Sequence, residues 1–162
     1  MQSVQGSVQD QAYMKLAIAE ANKSIPSESA YCVGAVLVLH PSTVYTGYSR
    51  ELPGNTHAEQ VCLIKASHAG LDLDRMRDAI MYTTMEPCSL RLSGNLPCVN
   101  RLIDAGISKV LIGILEPPNL VENCSGVQML TDAGIQVVHL TGFQGRSFKL
   151  FYKCGAQILL SW

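Results

Sequence analysis

Three segments decide how this chain folds: HAEQVCLIKASHAG at residues 57–70, AIMYTTMEPC at 79–88 and PCVNRLIDAG at 97–106. The first and third are helical runs and the second reads as a strand, with Pro87 suited to the first turn of a following helix. His57 and Glu59 sit two apart where the first helix begins, with Asn55 or Thr56 as its expected cap. Glu86-Pro87-Cys88 leaves the carboxyl end of the strand, and Cys98 opens the third segment. A helix start, a strand end and a second helix start therefore converge with one imidazole, two thiols and a carboxylate among them.

Working outward, residues 8–23 place Val8, Tyr13, Leu16 and Ala17 near helical spacing. Residues 31–39 (YCVGAVLVL) form an almost continuous apolar strand, and His40-Pro41-Ser42 turns it into an antiparallel partner at 44–50. After the third segment the chain alternates: Gly106 stops a helix over 100–105, KVLIGIL (109–115) is a strand, and a loop begins at Pro117-Pro118-Asn119. SGVQMLTDAG is a short helix and IQVVHL a fifth strand. Alternation with short connections predicts an α/β fold with parallel strands in this half. The last run, GRSFKLFYKCGAQILLSW, reads as a covering helix. Leu159, Leu160 and Trp162 end it either as a docked tail or as a surface for a second subunit, which would make a homodimer.

The chain has 162 residues and no linker, repeat or low-complexity tract, so a single domain over 1–162 is expected. Lys+Arg number 12 against 13 Asp+Glu, a net charge of −1 that supplies no basic field for a nucleic acid. MQSVQGSVQD lacks the charged and apolar regions of a signal peptide, and no run of about 18 apolar residues suggests a membrane span. A soluble cytoplasmic protein without a nucleic-acid or membrane partner is the expectation. Its six cysteines do not read as a disulfide framework. Cys32 and Cys62 fall in apolar runs, as core thiols do, and Cys124 and Cys154 have no metal spacing.

His57, Cys88 and Cys98 do have such spacing, and ligands of type His/Cys/Cys suit zinc while leaving the fourth tetrahedral position open. The plainer alternative is a closed structural zinc knuckle, which needs a fourth ligand. His68 lies about 16 Å down the helix from His57 at ~1.5 Å per residue, out of range. His40 adjoins a turn and His139 a strand end, where solvated or core histidines are commoner. A carboxylate two residues from the histidine fits an acid/base beside the metal, and H-x-E followed by P-C and a second Cys is the pattern of zinc-dependent base deaminases. In that reading the metal lowers the pKa of water enough to supply hydroxide near neutral pH, and Glu59 carries protons from it to a ring nitrogen and the departing ammonia.

On these residues the chain resembles the cytidine-deaminase-like superfamily, and within it most resembles the pyrimidine deaminase of riboflavin biosynthesis. The likeness runs from Val33-Gly34-Ala35-Val36 through His57-Ala58-Glu59, Thr84-Met85-Glu86-Pro87-Cys88-Ser89, Pro97-Cys98 and Ala105-Gly106-Ile107 to Pro118-Asn119 and Ala133-Gly134-Ile135. It implies a three-layer αβα sandwich around a five-stranded mixed sheet, zinc as cofactor and Glu59 as the catalytic group. Between the cysteines, bacterial members carry Ser-His-x-Gly-Arg-Thr-Pro-Pro, whereas this chain reads SLRLSGNLP, one residue longer and more like the fungal enzymes. Ala30-Tyr31-Cys32 also stands where bacterial members favour Asn-Pro. The fungal resemblance implies 2,5-diamino-6-(ribitylamino)pyrimidin-4-one 5'-phosphate as substrate. Cytosine or cytidine, guanine and tRNA adenosine deaminases share the four chemical residues and stay open as alternatives, as does a binding domain that merely retains the metal. Near-neutral charge and the long gap between Cys88 and Cys98 oppose the tRNA case.

Candidate substrate contacts are Asn55, Glu86, Ser89, Arg91, Ser93, Asn95 and Arg101. Asn55 reads either as a contact to the base or sugar chain or as a local turn or cap. Glu86 reads as a brace for the Cys88 turn or as a partner for a ring amine. Arg91, Ser93 and Asn95 lie in the loop between the cysteines, where plain solvated polarity is the competing explanation. Arg91 with Arg101 would make a phosphate clamp, and Arg50 is a weaker candidate at a strand end.

Overall fold

A computed structural model of the chain describes residues 1–27, 30–39, 43–71, 76–116 and 124–143. The expected covering helix and tail, including Leu159, Leu160 and Trp162, lie outside the described residues, as do the turn at His40-Pro41-Ser42 and the loop at Pro117-Pro118-Asn119. Strands β1 (Gln2–Val4), β2 (Gly34–Leu39), β3 (Thr43–Tyr48), β4 (Ile80–Met85), β5 (Lys109–Ile114) and β6 (Gln136–Leu140) form one sheet. Its order is β1-β6-β5-β4-β2-β3, with β2 antiparallel to both neighbours and the other pairs parallel. The mixed three-layer architecture is as expected, but the sheet has six strands, not five. The extra strand is the polar segment QSV, which pairs with β6 at the edge through Gln2↔Val138 and Val4↔Leu140. The apolar strand also begins later than the apolar run, at Gly34 instead of Tyr31.

Four helices accompany the sheet among the described residues: α1 (Val8–Ala21), α2 (Ala58–His68), α3 (Cys98–Asp104) and α4 (Gly126–Asp132). Alternate strand residues feed two separate cores, as the period-2 geometry of a strand requires. Val36, Tyr82, Leu111 and Val138 meet Met14 and Ala17 of α1 on one face. Ala35, Leu37, Met81, Ile112 and Val137 meet Ala58, Cys62, Val99, Leu102 and Leu130 of the other three helices on the opposite face. A capping box starts α1: the Ser7 hydroxyl accepts from the Asp10 amide at 3.1 Å, and the Asp10 carboxylate accepts from the Ser7 amide at 2.9 Å. The other Asp10 oxygen accepts from the Tyr82 hydroxyl at 2.8 Å, fixing α1 over β4.

The packing of α2 places the site. A Cβ at Gly47 of β3 would lie 2.5 Å from the Ala58 carbonyl oxygen, so only glycine lets the first turn of α2 press onto the sheet. Cys62 is a buried free thiol under that helix, as expected. Cys32 is buried but is disulfide-bonded, a correction to its reading as a core thiol. No helix among the described residues is long and apolar enough to cross a membrane.

Candidate active site

The carboxyl ends of β4 and β5 and the start of α2 converge on one cleft, the usual place for a site in an open α/β sheet. His57 is the N-cap of α2 with extended backbone and makes no side-chain cap bond. Neither Asn55 nor Thr56 caps the helix, contrary to expectation. The Thr56 hydroxyl instead closes its own loop, accepting from the Leu52 amide at 3.2 Å and donating to the Leu52 carbonyl at 3.0 Å. Asn55 has φ +54°, in the left-handed region that asparagine tolerates better than most residues.

His57 Nδ1 lies 3.4 Å from Cys88 Sγ and 3.6 Å from Cys98 Sγ, and all three donor atoms fall within 4.8 Å of one another. A tetrahedral zinc with bonds of about 2.0 Å to nitrogen and 2.3 Å to sulfur requires nitrogen-sulfur edges of about 3.5 Å. The donor set and its spacing therefore fit zinc. Among the described residues no other group of three or more His, Cys, Asp or Glu side chains could hold a metal ion. The Cys98 amide, at the start of α3, donates to Cys88 Sγ at 3.4 Å. Hydrogen bonds from Cys98 and His57 favour the Cys88 thiolate, whereas the bond to Cys88, burial and the neighbouring Glu59 push the Cys98 thiol up.

Glu59 is only 3% exposed. One oxygen faces the Thr83 hydroxyl at 3.2 Å and the other lies 3.4 Å from Cys98 Sγ. Burial raises its pKa, with the Cys88 thiolate adding to the effect. A carboxyl fixed beside the three-donor cluster and biased toward its protonated form can both take and return a proton.

A cavity of about 210 Å³ opens in front of this cluster, lined in part by Tyr31, Arg50, Asn55, Glu86, Arg91 and Glu116. Of the candidate contacts, Asn55, Glu86, Arg91 and Ser93 line it. Arg91 is 7% exposed, and its guanidinium donates to Gln60 Oε1 at 3.0 Å and to the Asn55 carbonyl at 2.5 Å, tying the inter-cysteine loop to the histidine loop. Ser89 is turned toward the start of α4, where its hydroxyl accepts from the Ser125 amide at 3.1 Å. Asn95 donates to the Gly54 carbonyl at 3.4 Å. Arg101 donates to the Leu96 carbonyl at 3.2 Å and lines a different depression between α2 and α3, so Arg91 and Arg101 are not brought together as a clamp. Arg50 does line the cavity, and its guanidinium donates to the Ile25 carbonyl.

Glu86 braces the cleft. Its two oxygens accept from the Val127 amide at 2.9 Å and the Glu116 amide at 3.2 Å, joining the ends of β4 and β5 to α4. The start of α4 comes so close that a Cβ at Gly126 would sit 2.2 Å from the Pro87 carbonyl oxygen. Glu86→Ala leaves both amides without their acceptor, at about 1–3 kcal/mol each where no water replaces it. A melting temperature lower by roughly 5–15 °C is expected, and calorimetry that finds no change would dismiss the brace.

Thr83, Gln60 and Glu116 are site residues that sequence reasoning missed, whereas Tyr31 lies in the Ala30-Tyr31-Cys32 stretch that it did single out. Thr83 looks like any strand threonine, and Gln60 like a polar residue on a helix. Glu116 carried one signal, standing at the end of an apolar strand before Pro117-Pro118.

The description "cytidine and deoxycytidylate deaminase zinc-binding region" matches residues 7–114. The chain is 48% identical over 132 residues to a diaminohydroxyphosphoribosylamino-pyrimidine deaminase of Schizosaccharomyces pombe, covering 82% of this chain and 32% of that protein. It spans about a third of the length of the riboflavin-pathway relatives it matches. Among solved structures, the Aspergillus oryzae Rib2 deaminase (C-terminal deletion mutant, pH 4.6) superposes with a TM-score of 0.78 at 35% identity, covering 91% of this chain and 93% of that one. The same deaminase in complex with DARIPP gives 0.67 at 34% identity, covering 88% and 97%. With the family's zinc-binding region matched across His57, Glu59, Cys88 and Cys98, and those side chains gathered at one cleft, the chain belongs to the cytidine and deoxycytidylate deaminase family.

Proposed function

We propose that this chain is a zinc-dependent aminohydrolase domain spanning 1–162 that deaminates 2,5-diamino-6-(ribitylamino)pyrimidin-4-one 5'-phosphate at the carbon bearing the 2-amino group. The observation that carries the reaction class is the three-donor cluster with the buried Glu59 beside it, open to the cavity. The substrate is supported by the likeness to the Schizosaccharomyces and Aspergillus deaminases, the latter also solved with DARIPP.

His57, Cys88 and Cys98 would hold the zinc, whose Lewis acidity brings the ionisation of water toward neutral pH. Glu59 would take one proton from water and deliver it to the adjacent ring nitrogen, then take the second from the hydroxyl newly bonded to the ring carbon and deliver it to the leaving amine. Water supplies the new carbonyl oxygen and ammonia departs. Thr83 holds the orientation of Glu59 during these transfers. Asn55 and Ser93 face the cavity as contacts for the base and the ribityl chain, and Arg91 and Arg50 are the arginines that line it. Either meets the phosphate only with donors left over from its bonds to protein carbonyls and Gln60. Ser89, Asn95 and Arg101 act on the substrate only indirectly in this reading, since none lines the cavity.

Ammonia release measured with the ribitylamino phosphate, its ribosylamino counterpart and the dephosphorylated ribityl compound tests the substrate. Loss of the phosphate is expected to cost at least about tenfold in kcat/KM, one step of about 1.4 kcal/mol. A preference for the ribosylamino compound would keep the reaction and overturn the ribityl assignment.

A further inference from the structure

Three carboxylates line the cavity: Glu59, Glu86 and Glu116. Glu59 is held by Thr83 and Cys98, and both oxygens of Glu86 accept backbone amides. Glu116 is different. Its amide is pinned to Glu86, and its carboxyl shares a hydrogen bond with the Cys124 thiol, yet its Oε2 is buried with no hydrogen-bond partner among the described residues. The arginines of the cavity do not pair with it: Arg50 donates to the Ile25 carbonyl, and Arg91 to Gln60 and Asn55. Burial pushes its carboxyl up to about 7, with the nearby Cys88 and Glu86 charges adding to the rise and the Cys124 thiol opposing it. A buried oxygen without a donor is costly, and Glu116 lines the cavity, where a ligand can bring the missing N–H.

The proposed substrate carries such donors. After the 2-amino group has been placed at the metal cluster, the 5-amino group and the 6-amino N–H remain on its ring. Cytidine, by contrast, has one exocyclic amine, and that amine is the one that leaves. We propose that Glu116 is a specificity-determining residue whose Oε2 accepts a hydrogen bond from an exocyclic N–H that stays on the pyrimidine. This rests on the substrate reading above. A site built around a hydrogen bond rejects the analogue lacking it far more strongly than an apolar wall does, because the protein group is then left unpaired.

The test is a cycle of proteins against substrates. Wild type, Glu116→Gln and Glu116→Ala are each assayed for kcat/KM with the parent ribitylamino phosphate, its 5-desamino analogue and an analogue joined through oxygen at C6. In the wild type, one analogue should lose at least about tenfold relative to the parent, about 1.4 kcal/mol. In Glu116→Ala that loss should shrink to within about twofold, since the partner of the missing donor is gone. Each ratio is taken within one protein, so a variant that folds less well does not mimic the result, and isosteric Glu116→Gln guards against collapse of the wall. Equal losses in wild type and Glu116→Ala, with the parent turned over normally by the wild type, would overturn this assignment alone. No ammonia from the parent in the zinc-loaded wild type would overturn the substrate reading and this assignment with it.

Discussion

Glu59→Gln is expected to keep its zinc and lose its turnover. The amide preserves the size of the side chain and an acceptor for the Thr83 hydroxyl, while removing the group that takes and returns protons. General acid/base transfer is typically worth ~10²–10⁴-fold, and one carboxylate is here asked to move several protons in a cycle, so the upper part of that range is expected for kcat. The metal should stay, because the donor cluster proposed to hold it is His57, Cys88 and Cys98, and of these the glutamate contacts only Cys98 Sγ. Elemental analysis and ammonia release on the same preparation separate the two effects. Equal ammonia release by wild type and variant would remove Glu59 from the mechanism, and loss of zinc would mean that it acts through the metal site instead.

Cys98→Ala should have the second large effect, and a different one. Cys98 is fully buried at the first residue of α3, and its amide also supports Cys88. Deleting its thiolate leaves two ligands, so zinc content should fall from one per chain to near none. Where free zinc exceeds the dissociation constant a thousandfold, the bound metal contributes about 4 kcal/mol of stability, which the variant forfeits. At ~2–4 °C per kcal/mol for a chain of this size, melting should drop by about 8–16 °C, and a chelator should lower wild type by a similar amount but leave the variant unmoved. A Cys98→Ala protein retaining full zinc would contradict the ligand set.

The metal cluster was legible in the sequence because its residue types are scarce and their spacing is particular. The strand before Cys88 and the helix after His57 were legible for a second reason: apolar residues recur there at the period each element requires. What was not legible depends on contacts between distant segments. Gln2–Val4 becomes a strand only because β6 offers an edge, and nothing in QSV announces it. The path of the inter-cysteine loop separates Arg91, which turns inward to Gln60 and Asn55, from Arg101, which faces another depression, although the two are close in sequence. Glu86 read equally as a brace or a ring contact, and only the approach of α4 shows both of its oxygens taken. Glu116 stands out in the sequence only by its place after an apolar strand, and its unpaired oxygen shows only once those neighbouring carboxylates are accounted for.

The most direct measurement is ammonia release by the zinc-loaded protein from a panel containing the ribitylamino pyrimidine phosphate, cytidine, cytosine, guanine and a tRNA anticodon stem, with Glu59→Gln as background. The highest kcat/KM is predicted for the ribitylamino phosphate. A clear preference for cytidine, guanine or the tRNA stem would contradict the substrate assignment and leave the deaminase chemistry standing, whereas ammonia no higher than the Glu59→Gln background from every compound would contradict the enzyme assignment itself.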